Sequence, residues 1–343
     1  MNSQPNESLG NISSLREYLK LLAPFLNDPT ITEIIINRPF EVITQTNQHT
    51  QYHQISELDA SYCLMLVRLI ASYSQQKCDA QMPLLSATLP DGQRVQAILP
   101  PAVPQGKISL TIRQPQQKRL SLEDYQAQGF FDHYRPDPFI LSPEDQHLLS
   151  LKQQGNIAEF LSCAVKSKKN IIFSGATGSG KTSFLKSLIP FIPATERLIS
   201  IENVSELCLD KTHPNSVSLL YSAGKQGIAQ IGQKELLESA LRMKPDRIFL
   251  SELIRGEEAF YFLRNVNSGH PGSMTTMHAN SATMAIEQLV LFLKEAGTSL
   301  TREEAKDLIL MCVDVIVQIH NHQGKRFISE LYYDPERKRQ KMQ

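Results

Sequence analysis

Tryptophan is absent from the 343 residues, and only five cysteines occur: Cys63, Cys78, Cys163, Cys208 and Cys312. The cysteine count is odd and no two stand in a Cys-x-x-Cys pair, which argues against a disulfide framework or a zinc ribbon and favours a reducing cytosol. An excess of either charge is missing too, with Lys plus Arg and Asp plus Glu at 35 each. That balance gives no footing for wholesale coating of nucleic acid or strong adsorption to a membrane. Without Trp, and without a basic stripe interleaved with aromatics, direct or sequence-specific gripping of nucleic acid is not expected. The start, Met1 to Gly10, is polar and lacks the apolar core of a secretion signal. Long apolar runs are lacking as well. The strongest, "LILMCVDVIVQIH" (Leu308 to His320), is short and contains Asp314. It predicts a helix end followed by a buried strand, not a bilayer span. A soluble protein, at most attached peripherally to a membrane surface, is expected. No internal repeat and no low-complexity segment occurs.

What is present suffices for two domains of ordinary size, with 41% apolar residues to bury two cores. Residues 1–10 are expected to be disordered. Residues 11–115 predict a smaller α+β domain. "TEIIIN" (Thr32 to Asn37) and "FEVITQ" (Phe40 to Gln45) are β-branched runs flanking a turn. Leu58 to Ser74 carries apolar residues at helical spacing. "LLSATLPDGQRVQAILPP" is a hairpin through Pro-Asp-Gly, and "GKISLTIRQP" supplies another strand. Residues 116–140 are polar and predict a linker with a short helix starting at Ser121. From residue 141 to 335 helical stretches alternate with short apolar strands, "NIIFSG", "RLISIE", "SVSLLY", "DRIFLSE" and "DVIVQIH". That alternation predicts an α/β domain on a predominantly parallel sheet. Two basic runs, "KSKK" (Lys166 to Lys169) and the tail in residues 336–343, read as solvated faces.

"GATGSGKT" matches the phosphate-loop pattern in full, between a strand and a helix. Gly175, Ala176, Thr177, Gly178, Ser179, Gly180, Lys181, Thr182 and Ser183 are the expected nucleotide-binding residues. Backbone N–H groups there converge at a helix N-terminus, where the dipole favours an anion. Lys181 is expected to reach the β- and γ-phosphates, and the Thr182 hydroxyl to ligate Mg²⁺. Hydrolysis needs more: a positioned water and neutralised charge. "RLISIENVSEL" ends a strand on Glu202 and Asn203, with Glu206 a turn later, and "PDRIFLSE" ends another on Ser251 and Glu252. Carboxylates at the C-terminal ends of parallel strands face the crevice that holds the ligand. Glu206 is a candidate to orient water, and Glu252 to hold Mg²⁺ through water. "SGHPGSMTTMHANS" adds His270 in a turn, a structural position, and His278 after a strand, where a γ-phosphate sensor belongs. No Cys or second His stands at zinc-ligand spacing.

Four segments in order, the phosphate loop, "ISIENVSEL", "LRMKPDRIFLSEL" and "SGHPGSMTTMHANS", resemble the traffic ATPases of type IV secretion and conjugation systems. The resemblance runs from about Thr32 to Pro335. It implies a RecA-like phosphate-loop domain, a ring of six subunits, and ATP between the N- and C-terminal domains. It further implies that Arg94 and Arg113 meet the phosphates. The expected location is the cytoplasmic face of the inner membrane, with a secretion channel and a coupling protein as partners, and the expected output is substrate transfer and pilus biogenesis. Type II export and pilus-retraction motors share these boxes, though many such assembly ATPases carry paired Cys-x-x-Cys motifs that this chain lacks. Two departures stand out. The usual Glu-Asp of the acidic box is Glu202-Asn203 here, and Ile254 displaces Arg255 by one place. The first keeps open a nucleotide-dependent switch or scaffold with little turnover.

Overall fold

The computed structural model describes residues 5–115, 120–132, 134, 140–222, 224 and 226–340, with side chains from Ile12 onward. The chain divides into two compact units, Met1–Tyr134 with Leu219–Gly232, and Arg135–Ser218 with Gln233–Gln343. The return of residues 219–232 to the first unit has no counterpart in a purely sequential division.

Among the described residues, the first unit holds helices α1 (Pro5–Leu19), α2 (Ala23–Leu26), α3 (Ala60–Tyr73) and α4 (Leu122–Ala127). Its strands are β1 (Glu33–Ile36), β2 (Glu41–Gln45), β3 (Thr50–Gln54), β4 (Leu84–Thr88), β5 (Arg94–Ile98) and β6 (Ser109–Arg113). They form an antiparallel sheet in the order β3-β2-β1-β6-β5-β4. Alternation decides the packing: Ile34, Ile36, Val95, Ala97, Leu110 and Ile112 share one core with Leu66, Val67 and Ile70 of α3 and Leu15 of α1. α3 begins where the Asp59 carboxylate accepts the Tyr62 N–H at 2.7 Å. α4 starts after Ser121, as its sequence signals, through a reciprocal cap with Asp124. α1 overlaps the stretch expected to be disordered; residues 1–4 lie outside the described residues, as do parts of the expected linker, residues 116–119, 133 and 135–139.

The second unit is the expected α/β domain. Its helices are α5 (Pro143–Gln153), α6 (Ile157–Lys166), α7 (Lys181–Leu188), α8 (Gln233–Ala240), α9 (Gly256–Asn267), α10 (Ala282–Glu295), α11 (Arg302–Cys312) and α12 (Pro335–Gln340). Its strands are β7 (Ile171–Ser174), β8 (Leu198–Glu202), β9 (Ser216–Leu220, of which Leu219 and Leu220 count with the first unit), β10 (Arg247–Leu250), β11 (Met274–Met277), β12 (Val315–His322) and β13 (Lys325–Tyr333). They run in the order β13-β12-β7-β11-β10-β8-β9. β12, β7, β11, β10 and β8 pair parallel, and β13 returns antiparallel to β12. β7, β8, β10 and β11 are buried at every residue, as strands of a parallel sheet covered on both faces are.

The two basic runs are not solvated faces. Lys168 lies 3.5 Å from Glu196, and Lys169 pairs with buried Asp145. In α12, Lys338 reaches Asp314 at 2.7 Å and Arg339 lies 3.6 Å from Asp145; Lys341 lies outside the described residues. The partners are distant in sequence, so the runs look isolated when read alone. Asp145 collects the Tyr333 hydroxyl at 2.8 Å as well. Burial works to raise its carboxyl, but the Lys169, Tyr333 and Ser142 contacts outweigh it and hold Asp145 below the ordinary carboxylate range. A lowered folded value contributes stability above the unfolded value and loses it as pH falls through the folded one. Asp145→Asn should therefore cost roughly 2–4 kcal/mol at neutral pH. The deficit should shrink below pH ~4. Urea melts of both proteins at several pH values check this.

Candidate functional site

Sheet order assembles the site. β11 lies between β7 and β10, so the C-terminal ends of all three sit side by side. β7 ends at Ser174, in register with Met277 of β11. The Gly175 N–H donates to the Met277 carbonyl at 3.3 Å, and Leu253, after β10, donates to Thr276 at 2.8 Å. The residues that follow each strand, Gly175, His278 and Glu252, are thus brought together by backbone pairing alone.

The loop from Gly175 to Gly180 admits no side chain at its two ends. A Cβ on Gly175 would lie 2.4 Å from the Ile319 carbonyl oxygen and 2.7 Å from Ser179 Oγ. Gly180 holds φ +94°, with the Arg326 side chain packed against it. Ala176, Thr177 and Gly178 form the exposed rim, whereas Ser179 is buried and its Oγ finds no hydrogen-bond partner among the described residues. α7 begins directly after the loop with neither a side-chain cap nor an acidic residue in its first turn. A helix N-terminus left in this state favours an anion. A bound phosphate fits this cradle on three counts: the glycine geometry, the orphaned Ser179 hydroxyl and the uncapped helix end. Thr182 is half-buried and its hydroxyl has no partner among the described residues, leaving it available to a metal ion; Ser183 is exposed.

Lys181 is 7% exposed. Its Nζ donates to the carbonyls of Gly175 at 2.9 Å and Ala176 at 3.2 Å, and lies 3.3 Å from His278 Nδ1. On the other side of the ring, His278 Nε2 lies 2.8 Å from Glu252 Oε1. Nδ1 also lies 3.2 Å from the Gly175 carbonyl, so its role follows the tautomer: with Nε2 donating to Glu252, Nδ1 accepts from Lys181. Burial pushes the Lys181 ammonium below the usual lysine range, and Glu252 pulls it part of the way back. A cation short of solvent, joined to a carboxylate only through an imidazole, is poised to meet a further negative group.

Glu206 stands apart from this chain. It is exposed, and its carboxylate has no partner among the described residues. What fixes its position is Glu202, fully buried, whose Oε2 accepts the N–H groups of Glu206 at 2.7 Å and Leu207 at 2.9 Å. Ser200 Oγ donates to the other Glu202 oxygen at 2.5 Å. Lys186 of α7 ties the same turn down by donating to the Glu206 carbonyl at 2.7 Å. Asn203 is exposed and stands outside this bracing. The displaced Arg255 immediately precedes α9. Glu258 turns back to accept the N–H groups of Ile254 and Arg255, both at 3.1 Å, while burial pushes its carboxyl up. Glu258 thus caps a helix start. His270 is held by the Pro245 carbonyl at 3.0 Å, a structural contact.

Arg94 and Arg113 lie in the first unit, where they are direct cross-strand partners on β5 and β6. Both are exposed, and Arg113 has Glu33 3.7 Å away. The bracing role of Glu202 and the approach of β12 and β13 to the loop were not foreseen. A buried carboxylate and an exposed one look alike in sequence, and the hairpin's contacts depend on strand pairing.

The profile of the family described as "Type II/IV secretion system protein" matches residues 140–322. A type IV secretion system protein VirB11 of Bartonella quintana is 42% identical over 334 residues, covering 94% of this chain and 93% of that one. The chain belongs to the VirB11 family. A Brucella suis VirB11 is 43% identical over 334 residues, covering 95% of this chain and 92% of its own length. The crystal structure of the VirB11 ATPase from the Brucella suis type IV secretion system, in complex with sulphate, matches with a TM-score of 0.92 at 41% identity. That match covers 98% of this chain and 99% of the other. The chain is thus a type IV secretion ATPase of the VirB11 family, with its fold along nearly the whole length.

The close approach at Gly175 gives an ordering. Gly175→Ala drives a Cβ into a backbone oxygen, whereas at Gly178, φ +75°, no atom lies within 4 Å. Gly175→Ala should cost more than about 3 kcal/mol, and Gly178→Ala only the left-handed strain of ~1 kcal/mol. Thermal unfolding of the two variants checks the order; equal losses would contradict it.

Proposed function

We propose that the chain is an Mg²⁺-dependent ATP-hydrolysing motor that energises substrate transfer and pilus biogenesis in a type IV secretion system. It works as a ring of six subunits on the cytoplasmic face of the inner membrane, with channel and coupling-protein components as partners. The observation that carries the reading is the chain Lys181–His278–Glu252, with Lys181 at an uncapped helix N-terminus and His278 and Glu252 just past two adjacent strands.

The chemistry follows from these groups. The N–H groups of the loop and of α7 bind the phosphates, and Lys181 exchanges its two carbonyl contacts for phosphate oxygens. His278, already within reach of Lys181, senses the γ-phosphate and reports it to Glu252. The Thr182 hydroxyl and, through water, Glu252 would hold Mg²⁺, which would supply positive charge to offset that of the phosphates. Glu206, on its braced turn, orients the attacking water. Arg94 and Arg113 neutralise the charge developing on the γ-phosphate. Arg94 and Arg113 are direct cross-strand partners with Glu33 beside Arg113 alone, and guanidinium groups suit phosphate. Family membership supports the secretion role: the Bartonella quintana and Brucella suis relatives, 42% and 43% identical, are type IV secretion system proteins.

Phosphate release from Mg-ATP is the test. Wild type should turn over, chelation of Mg²⁺ should stop it, and Lys181→Ala should abolish it with the circular dichroism spectrum unchanged. Replacing Arg94 and Arg113 together by Ala should lower turnover by ~10³ or more. Tight ATP binding with no release under any condition would overturn the motor in favour of a nucleotide-dependent switch. Turnover surviving in Lys181→Ala would remove the loop from the chemistry.

A further inference from the structure

The hairpin of β12 and β13 runs along the phosphate loop. Gln318 pairs in register with Ser174 at the end of β7. The Ile319 carbonyl occupies the space beside Gly175, and Asn321 Nδ2 donates to the Gly178 carbonyl at 3.5 Å. Directly across the hairpin from Asn321 stands Arg326. A Cβ built on Gly180 would meet Arg326 Cδ at 3.0 Å, Nε at 3.3 Å and Nη1 at 3.4 Å. The guanidinium therefore lies against the last glycine of the loop, beside the first N–H groups of α7. The neighbouring pair His320 and Phe327, stacked with ring centres 6.1 Å apart, steadies the strands at this point. Arg326 is exposed, and among the described residues it makes no ion pair or hydrogen bond.

We propose that Arg326 is a nucleotide ligand, donating to the diphosphate portion that ADP and ATP share. The inference rests on the nucleotide-binding reading of the site. β7 is flanked by β12 on one side and β11 on the other. His278 and Glu252 reach the loop from the β11 side, and Arg326 from the β12 side. The two sides then divide the work. Lys181, His278 and Glu252 serve the phosphate that is cleaved, and Arg326 holds the part that remains after cleavage. Its free donors form a fork matched to phosphate oxygens. Because Arg326 holds product as firmly as substrate, it sets how long ADP stays bound.

Titration with fluorescent ADP and ATP analogues, and competition by inorganic pyrophosphate, tests this on wild type, Arg326→Met and Arg326→Lys. Methionine keeps an unbranched stem against Gly180 and removes the charge; lysine keeps the charge and loses the fork. Arg326→Met should weaken ADP, ATP and pyrophosphate alike, by about tenfold or more, with Arg326→Lys recovering part. Unchanged binding in Arg326→Met would make Arg326 a strut for Gly180 and overturn the proposal. So would a loss confined to ATP, which would place Arg326 at the γ-phosphate. A loss for both nucleotides but not for pyrophosphate would place it at the base. Failure of wild type to bind any of the three overturns the nucleotide reading itself, and this inference with it.

Discussion

One buried cation organises the second unit's crevice. Lys181 is almost cut off from solvent, and among the described residues its direct acceptors are two loop carbonyls and an imidazole nitrogen. A lone ammonium in such a place is costly unless it is hydrogen-bonded. The loop meets that demand with its own carbonyls, those of Gly175 and Ala176. Glu252 compensates the charge at one remove, through His278. The cation is thus hydrogen-bonded, while the Ser179 hydroxyl has no partner among the described residues and the start of α7 has no side-chain cap, so an incoming phosphate has something to gain.

The sheet is what makes that arrangement reproducible. Gly175, His278 and Glu252 come from segments far apart in the chain, and the β7-β11-β10 order places them side by side. Their strands are short, buried and β-branched or apolar, so the sheet is fixed by burial and the site inherits its precision. Around this core, polar groups hold the turns that carry function: Glu202 beneath Glu206, Glu258 at the start of α9, and Asp145 binding α5 to β13 and α12. Asn203 replaces a usual carboxylate at an exposed position, so the bracing of Glu206 does not depend on it.

Much of this was legible in the sequence, and for identifiable reasons. "NIIFSG", "DRIFLSE" and "SMTTM" announce buried strands by composition, and a glycine, a carboxylate or a histidine just past such a strand is a positional signal. β3 and β13 carried no such signal, because they are largely exposed strands of polar and mixed residues at the edges of their sheets. α1 is nearly as polar as a coil. The role of "KSKK" was hidden because Asp145 and Glu196 lie tens of residues away, and that of the C-terminal tail because Asp314 and Asp145 do. Arg326 was invisible for a similar reason: its proximity to Gly180 follows from hairpin register, which local pattern does not encode.

The proposed ring motor predicts that nucleotide stabilises a six-subunit assembly. Mass determination by light scattering on a sizing column, with and without Mg-ATP, tests that most directly. A ring motor gives a nucleotide-stabilised species six times the 38.6 kDa chain. A monomer under every nucleotide condition would contradict it.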